Sequence, residues 1–342
     1  MKYFSMFSGI GGFEYGIQRA FNQQFTEIKQ NGQRWDRDTN EVEHHVLPSS
    51  RTTPLCVGYS EIDKYAIKVY ERHFEHDNYG DATKINPKEL PDFDLLVGGF
   101  PCQAFSIAGK RKGFDDTRGT LFFDIARILA EKKPQHLVLE NVKGLLSHDQ
   151  GRTFQTILGV LADLGYRVEW QVLNSKDFGV PQNRERIIIV GHLGRCCGRK
   201  VFPITHSSES HLKYSGGVIS ARKQWLKDGN NNSRNFSQGQ RIYSTDGIGQ
   251  TLAGQAGGQG GKTGLYEMED LRIRRLTPKE CERLQGFPDH WTKYGIEKAP
   301  DGASTLSCHD DHIISISDTQ RYKMCGNAVT TNVITAVMER LL

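Results

Sequence analysis

The 342-residue sequence contains no apolar run approaching the ~20 residues that a helix needs to span a bilayer. That excludes a helical membrane protein. Its seven cysteines include no Cys-x-x-Cys pair and no regular spacing, so neither a structural zinc site nor a disulfide framework is expected. Cys196-Cys197 near His192 and the Cys308-His309-Asp310-Asp311-His312 run lack zinc-site spacing as well, and no metal is expected. No signal peptide is seen, so the expected setting is a reducing cytoplasm and the expected protein is soluble. A strong charge of one sign is also missing: 44 Lys and Arg stand against 40 Asp and Glu, a net charge of +4. Any face for nucleic acid must come from local clustering. There is no internal repeat.

What is present is enough apolar sequence, 37%, for a substantial core, and 36 glycines for tight turns. Short apolar runs at Tyr3-Phe4-Ser5-Met6-Phe7, Cys56-Val57-Gly58-Tyr59, Asp94 to Val97, Leu137-Val138-Leu139-Glu140 and Arg186 to Val190 read as strands. Between them, Ile67, Tyr70 and Phe74, then Phe122, Ile125 and Leu129, then Phe154, Ile157, Leu158 and Leu161, recur at helical spacing. Strands alternating with helices predict a mainly parallel, doubly wound α/β sheet. Residues 30 to 54 read as a polar surface insertion. From Arg195 to Arg275 thirteen Lys and Arg face six Asp and Glu, and glycines crowd the stretch from Gly247 to Gly264. This reads as a small basic region of strands and loops. Thr277-Pro278-Lys279-Glu280 is a capping box with proline at the first helical position, opening a helix through Leu284. Val329, Val333, Val337 and Leu341 form one stripe of a final helix.

The chemistry-bearing residues sit where these strands end. Phe7-Ser8-Gly9-Ile10-Gly11-Gly12 turns after the first strand, and such glycines let backbone amides approach a nucleotide-like cofactor. Glu14 stands where a dinucleotide fingerprint would have its third glycine. Glu61 ends the second strand, where an acidic side chain can accept hydrogen bonds from ribose hydroxyls. After Leu95-Leu96-Val97 comes Gly98-Gly99-Phe100-Pro101-Cys102, which presents one thiol at the mouth of the sheet. Zinc deaminases also use a Pro-Cys element, but Phe105 stands where they need a second cysteine. Glu140-Asn141-Val142 puts a carboxylate at another strand end, suited to proton transfer or charge stabilisation. In Gln182-Asn183-Arg184-Glu185-Arg186, two arginines two apart share one side of an extended segment.

These motifs, in this order, resemble those of the DNA cytosine carbon-5 methyltransferases of bacterial restriction-modification type. The resemblance implies an S-adenosylmethionine-dependent, Rossmann-like fold: a mixed, mainly parallel sheet with an inserted small basic target-recognition domain. The implied division is a catalytic and cofactor-binding domain at 1–191, a recognition domain at 192–271, and a return to the catalytic domain at 272–342. By resemblance Cys102 is the nucleophile, Glu140 contacts N3 and the amino group of a flipped cytosine, Arg186 contacts O2, and Arg184 lies beside the catalytic centre. Asn141 helps hold the active-site loops. Phe7, Gly9, Gly11, Gly12, Glu61, Ile62, Asp81, Phe100 and Asn327 are expected around S-adenosylmethionine. Asp81 would bond the adenine amino group, and Asn327 would lie near the methionine carboxylate. Ser106, Lys110 and Arg111 fall in a loop expected to close over DNA. Gln238, Arg241, Gly257 and Gly258 resemble recognition loops of enzymes acting at GCGC-like sites. Arginine suits bidentate bonding to guanine O6 and N7; a different GC-containing site is an equal alternative.

The expected activity is methylation of cytosine carbon 5 in a specific double-stranded DNA sequence. A monomer on DNA is expected, with no metal, no membrane and a functional pairing with a restriction endonuclease. Two alternatives stay open: a tRNA cytosine methyltransferase on the same fold, and a non-catalytic DNA-binding protein that keeps the fold.

Overall fold

The computed structural model describes residues 1–31, 53–101, 121–194, 200–204, 242–244, 248–254, 263–267, 273–298 and 312–342. The chain runs β1 (Lys2–Met6), α1 (Gly12–Asn31), β2 (Leu55–Ser60), α2 (Lys64–His73), β3 (Leu95–Gly99), α3 (Leu121–Lys132) and β4 (His136–Val142). It continues through α4 (Arg152–Asp163), β5 (Tyr166–Asn174), the two-residue β6 (Gln182–Asn183) and β7 (Glu185–Leu193). One sheet of six strands has the order β2-β1-β3-β4-β7-β5. The first four are mutually parallel, and β7 runs antiparallel to both of its neighbours. The expected mixed, mainly parallel sheet is therefore present.

Beyond β7 come β8 (Ile242–Ser244), β9 (Gly249–Gln250), β10 (Leu265–Glu267) and β11 (Ile273–Arg275). β11, β10 and β8 form a small separate sheet, whereas β9 pairs with β6. α5 (Pro278–Leu284) opens with the expected capping box: Thr277 accepts from the Glu280 amide, and Glu280 reaches back to the Thr277 amide. The hairpin β12 (Tyr294–Glu297) and β13 (His312–Ser315), then α6 (Asp318–Asn327) and α7 (Thr331–Leu341), complete the chain.

β3 and β4 are central because their apolar runs are covered on both faces, as parallel strands require. On one face Phe122, Ile125, Ile128 and Leu129 of α3, with Phe154, Ile157 and Leu161 of α4, pack on Leu96, Leu137, Leu139, Ile187 and Ile189. On the other, Phe13, Ile17 and Ala20 of α1 and Val333, Ile334, Val337 and Met338 of α7 cover Leu95, Val97, Val138, Ile188 and Val190. Each large aliphatic side chain so buried contributes roughly 1.5–3 kcal/mol. The two helices on this face are also stitched together: the Thr335 hydroxyl donates to the Gly16 carbonyl at 3.2 Å, across 319 positions of sequence. Among the described residues, no helix is long and apolar enough to cross a membrane, and no group of three or more His, Cys, Asp or Glu could hold a metal ion.

Candidate active site

The sheet order brings the carboxyl ends of β1, β2 and β3 to one edge, where open α/β folds bind their ligands. At that edge Phe7 leaves β1 with a φ of 55° and Gly9 follows with 56°. The left-handed region is strained for phenylalanine and free for glycine. Gly11, at φ +85°, has no room for a side chain, because a Cβ there would fall on the Phe74 ring. A Cβ on Gly9 would meet nothing within 4 Å, so the turn faces open space. Gly12 lies against Val329, whose Cγ2 is 2.7 Å from where a Cβ would be.

Glu61 faces this turn from the end of β2. Its Oε2 accepts from the Gly9 amide at 2.8 Å, and its Oε1 accepts from the amides of Ile62 and Asp63, each at 2.8 Å. Three backbone donors thus fix the carboxylate, and Oε2, with a single donor here, keeps acceptor capacity for a sugar hydroxyl. Ile62 beside it is 72% exposed, an apolar face turned to solvent. Asp81 caps the short turn Ala82–Lys84, and its Oδ1 is taken by the Thr83 amide and hydroxyl. An open glycine turn, an oriented carboxylate acceptor and an exposed aliphatic side chain fit a nucleoside-bearing cofactor. The Phe100 ring is buried against Phe122. Asn327 ends α6 exposed and lies against Gly254, while Lys323 of the same helix bonds Asp63 at 2.6 Å. Helix α6 therefore touches both the cofactor edge and the segment around residue 254.

The neighbouring part of the edge is built by register. Gly99 of β3 pairs with Glu140 of β4, and Val142 pairs with Arg186 of β7. Because β7 runs backwards, its first residues arrive where β3 and β4 finish. Arg186 Nε meets Glu140 Oε1 at 2.9 Å, with only 16% and 12% of the two side chains exposed. Asn141 donates from Nδ2 to the Phe100 carbonyl at 3.0 Å, which fixes the backbone immediately before Pro101. Arg184 is fully buried. Its guanidinium donates to the carbonyls of Leu252 at 3.3 Å, Gly326 at 3.2 Å and Ala328 at 2.8 Å. Burial, and then the nearby Arg186, push its pKa down to about 9. The two arginines thus differ in surroundings: one meets a carboxylate, the other main-chain carbonyls. Cys102, Ser106, Lys110, Arg111, Gln238, Arg241, Gly257 and Gly258 lie outside the described residues.

Sequence reasoning missed one group beneath the glycine turn. Glu14, in the first turn of α1, is fully buried and accepts from the Tyr70 hydroxyl at 3.1 Å. Burial raises its pKa to about 7. Tyr3 and Cys56 face it from β1 and β2, and both have pKa values pushed upward mainly by burial. The sequence registered Glu14 only as a missing glycine, since an acid in a first helical turn ordinarily faces solvent. In the unfolded chain Glu14 ionises near its ordinary value, so the unfolded state loses the proton first as pH rises. Stability is therefore lost between about pH 4.5 and pH 7, a shift worth roughly 3 kcal/mol. Glu14→Gln, which keeps the shape without the charge, is expected to melt higher than the unaltered chain at pH 8, with the gap closing at pH 5. Melting curves at both pH values check this, and equal pH slopes for the two proteins would refute it.

The family described as C-5 cytosine-specific DNA methylase matches residues 1–212 and 200–342. The Type II methyltransferase M1.ScrFI of Lactococcus lactis subsp. cremoris is 40% identical over 299 residues, covering 83% of this chain and 71% of that protein. The Type II methyltransferase M.HhaI of Haemophilus parahaemolyticus is 38% identical over 305 residues, 82% and 85% of the two chains. Among solved structures, S. pombe Dnmt2 methyltransferase matches with a TM-score of 0.64 at 18% identity, covering 100% of this chain and 98% of that one. The Entamoeba histolytica methyltransferase EhMeth matches with a TM-score of 0.61 at 18% identity, covering 100% and 97%. At such identity these structures speak for the fold.

Proposed function

Because the chain belongs to the C-5 cytosine-specific DNA methylases and is a DNA cytosine-5 methyltransferase, we propose that it acts on a cytosine flipped out of duplex DNA, through a covalent adduct with Cys102. The observation that carries this reading is the Glu140–Arg186 pair, set beside Gly99 at the strand end that leads into Pro101 and Cys102. Carbon 5 of cytosine is a poor nucleophile until carbon 6 has accepted an electron pair. The Cys102 thiolate adds to carbon 6, and the negative charge that develops on the ring is met by a proton from the acid form of Glu140 at N3 and by the Arg186 guanidinium at O2. Unstacking the base costs a few kcal/mol, and a pocket that bonds the edge of the flipped base offsets it. S-adenosylmethionine, when bound by the turn at Phe7, Gly9, Gly11 and Gly12 and by Glu61, Ile62 and Asp81, supplies an electrophilic methyl group. Asn141 holds the backbone ahead of Cys102 so that the sulfur and the Glu140–Arg186 pair meet the same ring. Loss of the carbon-5 proton and elimination of the Cys102 sulfur release the product.

In this reading residues 1–191 and 272–342 form the catalytic domain and 192–271 reads DNA; the separate small sheet supports it through β8 and β10, while its third strand, β11 (Ile273–Arg275), falls just past that boundary. Ser106, Lys110 and Arg111 contact phosphates. Gln238, Arg241, Gly257 and Gly258 contact the bases of a GC-containing site of the GCGC-like kind, with a monomer bound to each site. The cellular role is protection of cytoplasmic DNA from a cognate endonuclease. Duplex DNA carrying 5-fluorocytosine tests the chemistry, since fluorine at carbon 5 blocks the final elimination. A covalent protein–DNA complex is expected in the presence of S-adenosylmethionine, and its absence would overturn the adduct.

A further inference from the structure

Gln182, Arg184 and Arg186 alternate along one short segment, and each reaches a different part of the molecule. Gln182 is fully buried. Its Oε1 accepts from the Leu252 amide at 3.1 Å, and its Nε2 donates to the Leu284 carbonyl at 2.8 Å. Arg184 takes the other end of the same residue, donating to the Leu252 carbonyl, and also donates to the carbonyls on either side of Asn327. Arg186 reaches Glu140. The segment is further sewn to residues 249–252 by the parallel pairing of Gln182 with Gly249 and Asn183 with Gln250, and by the Thr251 hydroxyl donating to the Asn183 carbonyl at 2.6 Å. Residues 249–252 follow β8 in the basic region, and Asn327 packs on Gly254. One residue, Leu252, is therefore gripped at both its backbone N–H and its backbone C=O by side chains four and two positions before Arg186.

We infer that Arg184 is a positioning residue that couples the DNA-reading region to the catalytic pair, with Gln182 as its partner in the grip on Leu252. The inference rests on the reading that residues 192–271 recognise DNA. A shift of the 249–252 segment on meeting the wrong base moves the Leu252 carbonyl, and with it the guanidinium two residues from Arg186. A planar fork holds carbonyls from two segments in one fixed geometry, which a compact ammonium on a flexible stem does not impose. Coupling between two sites of this kind typically amounts to about 5- to 150-fold.

The test is discrimination rather than rate alone. Sequencing of methylated DNA from cells that express the protein supplies the target site. Single-turnover transfer of tritiated methyl is then measured on a duplex with that site and on one with a single base of it changed. In Arg184→Lys the ratio of the two rates is expected to fall about tenfold, with the loss carried by the correct duplex. A purely structural role would depress both rates together and leave the ratio unchanged, and that result in a folded Arg184→Lys overturns the inference. If Arg184→Lys does not fold, Gln182→Met releases the Leu252 N–H, the other end of the same residue, while keeping the guanidinium, and an unchanged ratio there is equally fatal. A parent chain that methylates DNA without discriminating between the two duplexes would instead refute the recognition reading on which the inference stands.

Discussion

Cys102→Ser is expected to reduce methyl transfer by ~10⁴-fold or more, because losing a covalent nucleophile removes the step on which the others depend. A serine hydroxyl at that position is neutral at working pH, and it needs an adjacent base to attack carbon 6. The carboxylate that the sheet brings nearest in register, Glu140, is already paired with Arg186. Thiols ionise far more readily, and the thiolate is the nucleophilic form. The substitution exchanges one sulfur atom for an oxygen, so duplex binding should stay near that of the unaltered chain. Gel-shift titration and single-turnover transfer of tritiated methyl measure the two quantities separately. Turnover near the unaltered rate would end the proposal that Cys102 forms the adduct.

The second large effect is expected at the Glu140–Arg186 pair. Glu140→Gln and Arg186→Met should each lower the single-turnover rate by roughly 10²- to 10³-fold, as removal of one oriented charge-stabilising group does elsewhere. Each also leaves the other group without its partner in a site that is mostly shielded from water. Breaking a buried pair costs about 3–5 kcal/mol, and the residual exposure of both side chains places this pair toward the lower end. The double variant should lose little more than either single one, because the two groups act as a unit on one ring. Rate losses that simply multiply would show instead that Glu140 and Arg186 work independently.

Features carried by local patterning were legible in the sequence. The glycine turn after β1, the apolar runs of β3 and β4, the capping box of α5 and the acidic end of β4 each follow from neighbours a few positions apart. β5 was not legible, because it lies at the edge of the sheet and its polar and apolar residues leave it only half covered. α6 was missed because few of its residues are apolar, yet Tyr322, Met324 and Cys325 are buried by contacts from elsewhere in the chain. The reversal of β7, which delivers Arg186 to the strand ends, is a property of topology. The surroundings of Arg184 were hidden for a different reason: its acceptors are main-chain carbonyls, and every residue has one. A side chain that bonds backbone leaves no complementary residue type to find.

The packing of α7 on α1 also bears on how the protein is made. Ile17 and Phe13 of α1 are synthesised long before Val333, Ile334, Val337 and Met338 of α7, which complete the apolar cover they share. Contacts this far apart in sequence close slowly, since the loop entropy is lost before the contacts repay it. Between the making of α1 and that of α7 the growing chain therefore carries an unfinished hydrophobic surface, and chaperones are the natural custodians of such surfaces. The glycine turn itself leans on Val329, so methylating capacity should emerge abruptly, only once the segment from Val329 through α7 has been made, rather than growing domain by domain.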